Sequence, residues 1–339
     1  MTEKPRLLLA LETSCDETSA AVIENGSIVR SNIISSQIDI HKLYGGVVPE
    51  IASRKHLENV LDVVEMALKQ ANVDKKELDC LAVTYGPGLV GALLVGVSLA
   101  KSLAYALKIP LVPVHHLLGH MYANLLSHPD VQFPLICTVV SGGHTSIIYW
   151  EDHGKMSIMG QTRDDAAGEA FDKVARVLGF DYPGGPEIEK AARKGVESIQ
   201  FPRAYLEADS YDFSFSGLKS SVINYLHKNK QNGNEVVVED VARSFQEALI
   251  EVLAVKTLRA AKEKKVRTVA LAGGVASNQA LRRIMKEKLD PEGIELIFPE
   301  SVLCTDNAAM IGAAAYHLAG QGKEAGLDLN AVPSIPIHG

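Results

Sequence analysis

The sequence lacks the features of a membrane-spanning, secreted or nucleic-acid-coating protein. No run of about eighteen apolar residues is free of charge, and the longest candidate, residues 90–107, is rich in glycine, alanine and serine and contains Lys101. Residues 1–6 show no secretory pattern before the first strand-like run. The net charge of −7 argues against a surface covered in positive charge for nucleic acid. We therefore expect a soluble cytoplasmic protein with no membrane attachment.

Cysteine is scarce and forms no C-x-x-C pair or dense framework. The pattern is typical of unpaired thiols in a reducing cytoplasm, and the four residues are Cys15, Cys80, Cys137 and Cys304. Cys15 and Cys304 fall inside polar loops, yet we interpret both as small packing residues rather than ligands or nucleophiles.

An internal repeat is the main architectural signal. The chain has 339 residues, 47% of them hydrophobic, which is enough for two lobes around a cleft. Residues 7–29 form an apolar run, a small polar turn, a second run, a hairpin signal and a third run, and residues 135–158 repeat this order. Helical stretches and further short strands follow each copy. The sequence therefore predicts two related α/β lobes with their polar turns facing each other across a cleft.

We expect the boundary between the lobes near residues 109–113. This gives an N-terminal lobe at 1–110 and a C-terminal lobe at 111–305 that holds the metal and nucleotide site. The last helix, at 306–322, is expected to pack back on the N-terminal lobe. Residues 328–339, with prolines at 333 and 336, are predicted to be a loose tail.

A histidine pair is the first candidate for chemistry. His116 and His120 are spaced i, i+4 and would share one face of a helix, close enough to bind one metal ion. Pairs at this spacing are more often unrelated polar or core residues, so the pair needs support from elsewhere. A zinc peptidase requires a glutamate directly after the first histidine as general base, and here that position is Leu117.

Asp306 precedes an alanine-rich helix late in the chain. It is either the N-cap of that helix or the carboxylate ligand that completes a metal site with the histidine pair.

Two glycine turns are candidates for a nucleotide site. Residues 271–278 close a strand and open a helix, where backbone amides favour an anionic ligand, and Asn278 can bond a ribose or base edge. The spacing is not G-x-G-x-x-G, which excludes a Rossmann dinucleotide site. At the second turn, Gly184–Gly185, the following Glu189 is either a ribose ligand or a solvated surface residue. Asp172 lies on a predicted helix and either faces the site or pairs with Lys173 or Arg176.

The chain resembles, over essentially its whole length, the TsaD family of tRNA threonylcarbamoyladenosine synthases, once described as O-sialoglycoprotein endopeptidases. The matching stretches occur in order and are LETSCDET (residues 11–18), GGVVPE (45–50), TYGPGL (84–89), HHLLGH (115–120), VSGGHT (140–145), FSFSGLK (213–219), GGVASN (273–278) and CTDNAAM (304–310).

The resemblance implies an α/β fold of the actin/Hsp70/sugar-kinase (ASKHA) class with two lobes around a nucleotide cleft. It also implies an acyltransferase. The threonylcarbamoyl group would pass from threonylcarbamoyl-AMP to N6 of adenosine 37 in tRNAs that read codons starting with A, with AMP as leaving group. The implied partners are tRNA and the proteins TsaB and TsaE; TsaB is itself a paralogue of the first lobe, and TsaE is an ATPase.

The resemblance also assigns site residues. His116, His120 and Asp306 correspond to the ligands of one divalent metal, Fe²⁺ or Zn²⁺. The substrate-binding residues implied are Val139, Val140, Ser141, Gly142, Gly143, Asp172, Gly185, Glu189 and Asn278, although several relatives bear aspartate at the position of Glu189.

The general base stays open, with Glu12, Asp16, His144 or a water as candidates. Two other functions remain as alternatives. A metallopeptidase is disfavoured by Leu117. For a sugar kinase or ATP-binding scaffold, the histidine pair would be superfluous.

Overall fold

The computed structural model describes residues 6–207 and 209–337. The chain divides into two compact units, one formed by Met1–Val131 with Pro299–Gly339 and the other by Gln132–Phe298. Residues 1–5 lie outside the described residues, so the absence of a secretory pattern there stays a prediction from sequence.

Ten strands and eleven α-helices are found within the described residues. The strands are β1 Leu7–Glu12, β2 Glu17–Glu24, β3 Ile28–Ser36, β4 Cys80–Gly86, β5 Leu111–His115, β6 Leu135–Val140, β7 Thr145–Asp152, β8 Lys155–Gln161, β9 Thr268–Ala272 and β10 Glu295–Ile297. The helices are α1 Ile38–Lys42, α2 Pro49–Ala71, α3 Val90–Leu107, α4 His116–Ser127, α5 Ala167–Val177, α6 Gly184–Ala192, α7 Ser216–Gln231, α8 Val238–Lys264, α9 Gln279–Leu289, α10 Ser301–Cys304 and α11 Ala308–Gly320.

The first unit contains a five-stranded mixed sheet in the order β3-β2-β1-β4-β5. The central strand β1 pairs antiparallel with β2 and parallel with β4. Helices α2 and α3 contribute to one apolar core of this unit, while α11 packs against β1 and β2. Because β1 is covered on both faces, its residues 8–12 are all buried, which explains why residues 7–11 are an apolar run before Glu12.

The second unit repeats this topology. Its sheet has the order β10-β9-β6-β7-β8, and β6 pairs antiparallel with β7 and parallel with β9. Taken from the opposite edge, β8-β7-β6-β9-β10 matches β3-β2-β1-β4-β5 strand for strand, with the same directions. The internal repeat predicted from the sequence is therefore confirmed.

The division between the units differs from the expected boundary at residue 110. Strand β5 pairs in parallel with β4 as the edge strand of the first sheet, and α4, which follows it directly, packs against α11. Residues 111–131, and with them the histidine pair, therefore belong to the first unit, as do residues 299–305. The sequence did not reveal this because β5 is short and joins α4 without a break.

The expected loose tail is wrong for residues 328–337. The Leu329 carbonyl accepts a hydrogen bond from Lys101 Nζ at 2.9 Å, the Val332 amide donates to Tyr85 O at 2.8 Å, and the Gly88 amide donates to Pro333 O. Ile337 is buried. These hydrogen bonds attach the segment to the first unit. Residues 338 and 339 lie outside the described residues.

Helix α3 is long and apolar enough to cross a membrane, by length and composition. In this fold it is a packed helix: it lies against β4 and α2, and Leu93, Val97 and Ala100 are buried in the unit. Core helices pass the same compositional test, so the helix is weak evidence for a membrane span.

We predict that replacing Gly312 with valine will destabilise the first unit. A Cβ at Gly312 would lie 2.5 Å from Ile23 Cγ1 and 3.3 Å from Ala10 Cβ, so α11 would have to move off β1 and β2. We expect the free energy of unfolding in urea to fall by about 2 kcal/mol.

Gly320→Ala is the matched control, since nothing lies within 4 Å of a Cβ at this end of the same helix. Its free energy of unfolding should be unchanged or higher by less than about 1 kcal/mol. Equal stability of Gly312→Val and Gly320→Ala would contradict the close contact.

Candidate metal centre and nucleotide-binding residues

Helix α4 presents the histidine pair on one face. The helix begins at His116, directly after β5, and the Nδ1 atom of the N-cap residue His115 accepts the Leu117 amide at 3.2 Å. One turn later lies His120. The two rings are 4.7 Å apart, edge to face, and both residues are buried. The i, i+4 spacing thus places two imidazoles side by side, as the sequence indicated.

Asp306 lies opposite this pair. Its Oδ1 atom is 3.1 Å from His120 Nε2 and 3.6 Å from His116 Nε2. The alternative that Asp306 caps α11 is wrong, because the N-cap is Asn307, whose Oδ1 accepts the Met310 amide at 3.1 Å. Capping by Asn307 leaves the Asp306 carboxylate directed at the histidines.

Close packing of α4 on α11 makes this meeting possible. Gly119 lies between the two histidines in sequence, and a Cβ at this position would come within 2.6 Å of Ile311 Cδ1 and 3.2 Å of Met310 Cγ. A larger side chain would separate the two helices. The glycine of the HHLLGH stretch therefore has a packing reason.

The three side chains fit a divalent metal ion. Their ligand atoms all lie within 4.8 Å of one another. Ligands about 2.1 Å from a tetrahedral metal are about 3.4 Å apart, close to the 3.1 and 3.6 Å that separate Asp306 Oδ1 from the two histidines. His120 is 1% exposed, and neither of its ring nitrogens has a hydrogen-bond partner among the described residues. Two imidazoles and one carboxylate would leave coordination positions open for a substrate.

A buried carboxylate supports His116 from behind. Glu12, at the end of β1, is 0% exposed, and its Oε2 atom lies 3.2 Å from His116 Nδ1. Burial alone would raise the pKa of Glu12, but the charge and hydrogen bond of His116 outweigh it, and the pKa is lowered. Burial likewise opposes charge on His116, yet Asp306 and Glu12 together raise its pKa to about 9.

Leu117 occupies the position where a zinc peptidase needs its general base, and it is 5% exposed. The first unit therefore combines a site able to hold a metal with no carboxylate at the place that peptide hydrolysis requires.

In the second unit, residues 139–143 form the end of β6 and a tight turn. The Ser141 amide donates to His144 O at 2.8 Å, and the His144 amide donates to Ser141 Oγ. Gly142 and Gly143 are exposed, and nothing lies within 4 Å of a Cβ at either. Among the described residues, neither glycine amide donates a hydrogen bond, so the turn can present both to an anion.

The start of α5 packs directly onto this turn. A Cβ at Gly168 would lie 2.6 Å from Ser141 O, and the Gly168 amide donates to that oxygen. The Ala167 amide donates to Thr145 Oγ1 at 2.9 Å. Two sequence motifs that are separate along the chain thus form one rigid corner.

The other predicted nucleotide-binding residues hold helix N-termini in the same unit. Asp172 Oδ1 accepts the Gly184 amide at 2.7 Å, next to Gly185, while Lys173 pairs with Asp165 and Glu169.

Asn278 and Glu189 accept backbone amides at the N-terminus of α9 in the same way. Asn278 Oδ1 accepts the Leu281 amide at 2.9 Å, and its amide group donates to Gln246 at 3.0 Å. Glu189 accepts from the Gln279 amide at 3.1 Å and pairs with Arg193. Glu189 is therefore bound within the fold rather than merely solvated.

The three candidates for the general base occupy different surroundings. Glu12 is fully buried, and Asp16 is 6% exposed in the turn after β1. His144 lies in the second unit, in the turn after β6.

Glu17, the first residue of β2, was not among the candidate site residues predicted from the sequence. Burial, followed by the charges of Asp16 and Asp306, raises its pKa well above the usual range. The sequence signal that could have identified Glu17 is its position directly after another acid, Asp16.

Comparison with known proteins decides the family. A family model described as TsaD, tRNA N6-adenosine threonylcarbamoyltransferase, matches residues 28–313. The chain belongs to the TsaD family. It is 59% identical over 332 residues to the tRNA N6-adenosine threonylcarbamoyltransferase of Halalkalibacterium halodurans, covering 98% of this chain and 96% of that protein. It is 56% identical to the enzyme of the same name from Clostridioides difficile, covering 98% of both chains.

Solved structures support the fold class. HypF of T. kodakarensis aligns with a TM-score of 0.65 and 16% identity, over 95% of this chain and 48% of that one. Component A of the (R)-2-hydroxyglutaryl-CoA dehydratase of Acidaminococcus fermentans aligns with a TM-score of 0.56 and 16% identity, over 93% and 99%. The two-lobed ASKHA fold of this TsaD-family chain is thereby confirmed.

We predict that His120→Ala will abolish tight binding of one divalent metal per chain. Losing one of three ligands should weaken zinc affinity at least about 100-fold, more than the usual effect of a supporting residue. Competition with a chromophoric chelator measures the affinity, and far-UV circular dichroism checks the fold.

His317→Ala is the control, since this histidine also lies near α4, packing on Tyr122, but is not one of the three ligands. It should keep the wild-type affinity. Equal zinc binding by His120→Ala and wild type would remove the metal assignment.

Proposed function

We propose that this chain transfers the threonylcarbamoyl group from threonylcarbamoyl-AMP to N6 of adenosine 37 in tRNAs that read codons starting with A. The amine nitrogen forms a bond to the carbamoyl carbon, the bond to the phosphate oxygen breaks, and AMP leaves. One proton is lost from the amine. The product is threonylcarbamoyladenosine.

The observation that carries the proposal is the family match combined with the His116, His120 and Asp306 triad. The near-full-length relatives bear the name of this activity. The triad has a donor set able to hold a metal, and Leu117 stands where a hydrolase would need its base. A site for holding a substrate suits acyl transfer better than proteolysis.

We infer that the ion is Fe²⁺ or Zn²⁺, since imidazole and carboxylate ligands suit both. Bound to the triad, it would supply positive charge that orients the acyl-adenylate and offsets developing negative charge. The chain's own contribution is a preformed set of ligands. Glu12 contacts His116 Nδ1. Asn307 caps α11, so the Asp306 carboxylate is not used for capping.

The second unit would bind the adenylate. Val139 and Val140 end β6, and in the turn that follows, after Ser141, the amides of Gly142 and Gly143 are placed to bind a phosphate or carbonyl oxygen. Asp172, Glu189 and Asn278 support the helix starts at Gly184–Gly185 and Gln279, where backbone amides favour the nucleotide. In this proposal, Asp172, Glu189 and Asn278 also contact the ribose and base of the adenylate directly.

Proton removal from the amine falls to Asp16, His144 or a water. Both side chains lie in turns that directly follow a central strand, β1 or β6. Glu12 is less suited, because its oxygens already accept hydrogen bonds inside the first unit.

TsaB and TsaE are the protein partners we infer from the family. The first unit exposes large apolar side chains on α2 and α3, including Leu57 at 66%, Leu61 at 60% and Val90 at 52%. Such residues support a protein partner on this unit. The acidic net charge suggests that tRNA binding depends partly on these partners. We place the reaction in the cytoplasm.

We predict that wild-type protein with tRNA, threonylcarbamoyl-AMP, TsaB and TsaE will form threonylcarbamoyladenosine at position 37. His116→Ala should lower the rate at least about 100-fold by losing the metal-held substrate. Nucleoside analysis after digestion of the tRNA measures the product, and omission of each partner in turn shows which are required.

His317→Ala should retain wild-type transfer. Normal transfer by well-folded, metal-stripped protein would overturn the metal role. Turnover of ATP with a sugar acceptor, without tRNA modification, would instead favour the kinase alternative.

A further inference from the structure

The end of β1 places a carboxylate in the buried interior of the first unit. Glu12 follows the buried run Leu8–Leu11 and has no exposed surface. A buried carboxylate is costly unless every lone pair is matched by a donor. Packing alone therefore gives no reason for a carboxylate at this position.

Three donors converge on Glu12. The Ser14 amide donates to Oε1 at 2.5 Å. Thr84 Oγ1 donates to Oε2 at 2.5 Å, and His116 Nδ1 lies 3.2 Å from the same oxygen. All three come from the first unit, at the ends of β1, β4 and β5. The carboxylate is thus fixed by two donors while a third bond connects it to His116.

This arrangement favours a proton on Nδ1 of His116. An ionised carboxylate only accepts hydrogen bonds, so a hydrogen bond between Glu12 Oε2 and His116 Nδ1 requires the proton on the nitrogen. The second neighbour of Nδ1, Ser14 Oγ at 3.1 Å, can also accept. With the proton on Nδ1, the lone pair of the neutral ring is on Nε2, the atom that faces Asp306.

We propose that Glu12 is a positioning residue that fixes the Nδ1–H tautomer and ring orientation of His116 for metal binding, and that it is not the general base of the transfer reaction. Hydrogen bonds from ligating histidines to carboxylates orient the ring and increase its basicity. The inference rests on the metal centre of the proposed function. It excludes one of the three base candidates, because Glu12 has no exposed oxygen to offer a substrate amine.

Glu12→Gln tests the proposal with almost no change of shape. A glutamine that keeps its oxygen on the Ser14 amide must point its NH₂ group at His116 Nδ1. The proton of the imidazole then moves to Nε2, which blocks the metal-binding atom. We expect zinc affinity, measured by chelator competition, to fall about 10- to 100-fold.

Thr84→Val is the matched control. It removes another hydrogen bond to the same buried carboxylate, at a residue that is also 0% exposed, but it leaves the contact of Glu12 with His116. Both variants should lose stability in urea, whereas Thr84→Val should change zinc affinity less than about threefold. Equal losses of affinity in the two variants would show that Glu12 acts only through stability and would overturn the proposal.

A spectroscopic measurement decides the matter even where Glu12→Gln fails to fold. In zinc-loaded wild-type protein labelled with ¹⁵N-histidine, we expect His116 to keep its proton on Nδ1 and to bind zinc through Nε2. A proton on Nε2 would overturn the proposal. Wild-type protein that binds no zinc would refute the metal centre itself, so the two failures are distinguishable.

Discussion

The close packing of α4 against α11 is the constraint on which the candidate site of the first unit depends. It brings His116 and His120 within bonding range of Asp306, a residue far away along the chain. Gly119 on α4 makes this approach possible because it faces Ile311 and Met310, while Gly312 on α11 lets that helix approach Ile23 of β2. Because α11 also packs on β1 and β2, the helix that follows Asp306 is held by both α4 and the sheet.

Several buried polar groups of the first unit have hydrogen-bond partners. Glu12 satisfies Ser14, Thr84 and His116, and Asn307 satisfies the start of α11. Each bond removes a cost of burial, and the contact of Glu12 with His116 also orients a residue of the candidate metal site. Stability and function therefore draw on the same interactions in the first unit. Both ring nitrogens of His120 are buried without a hydrogen bond among the described residues, and Nε2 lies 3.1 Å from Asp306 Oδ1, an arrangement that suits a metal ligand.

In the second unit, three of the residues expected to bind the nucleotide, Asp172, Glu189 and Asn278, accept backbone amides at helix N-termini. Asn278 could be selected from sequence because it follows a glycine turn, but its bonds to the Leu281 amide and Gln246 were not visible there. Glu189 was indistinguishable from a solvated glutamate until the Gln279 amide was found beside it. These contacts join residues remote in sequence, and local pattern carries no information about such pairs.

The sequence by itself determined the two repeated lobes, the histidine pair on one helix face and the family, because strand periodicity, i, i+4 spacing and ordered motifs are local properties. Only the tertiary structure decided the rest. It placed residues 111–131 in the first unit, fixed the tail through residue 337, assigned the cap of α11 to Asn307 instead of Asp306 and turned Glu12 towards His116. Each of these depends on which distant backbone or side-chain donor lies within about 3 Å, a distance that folding alone sets.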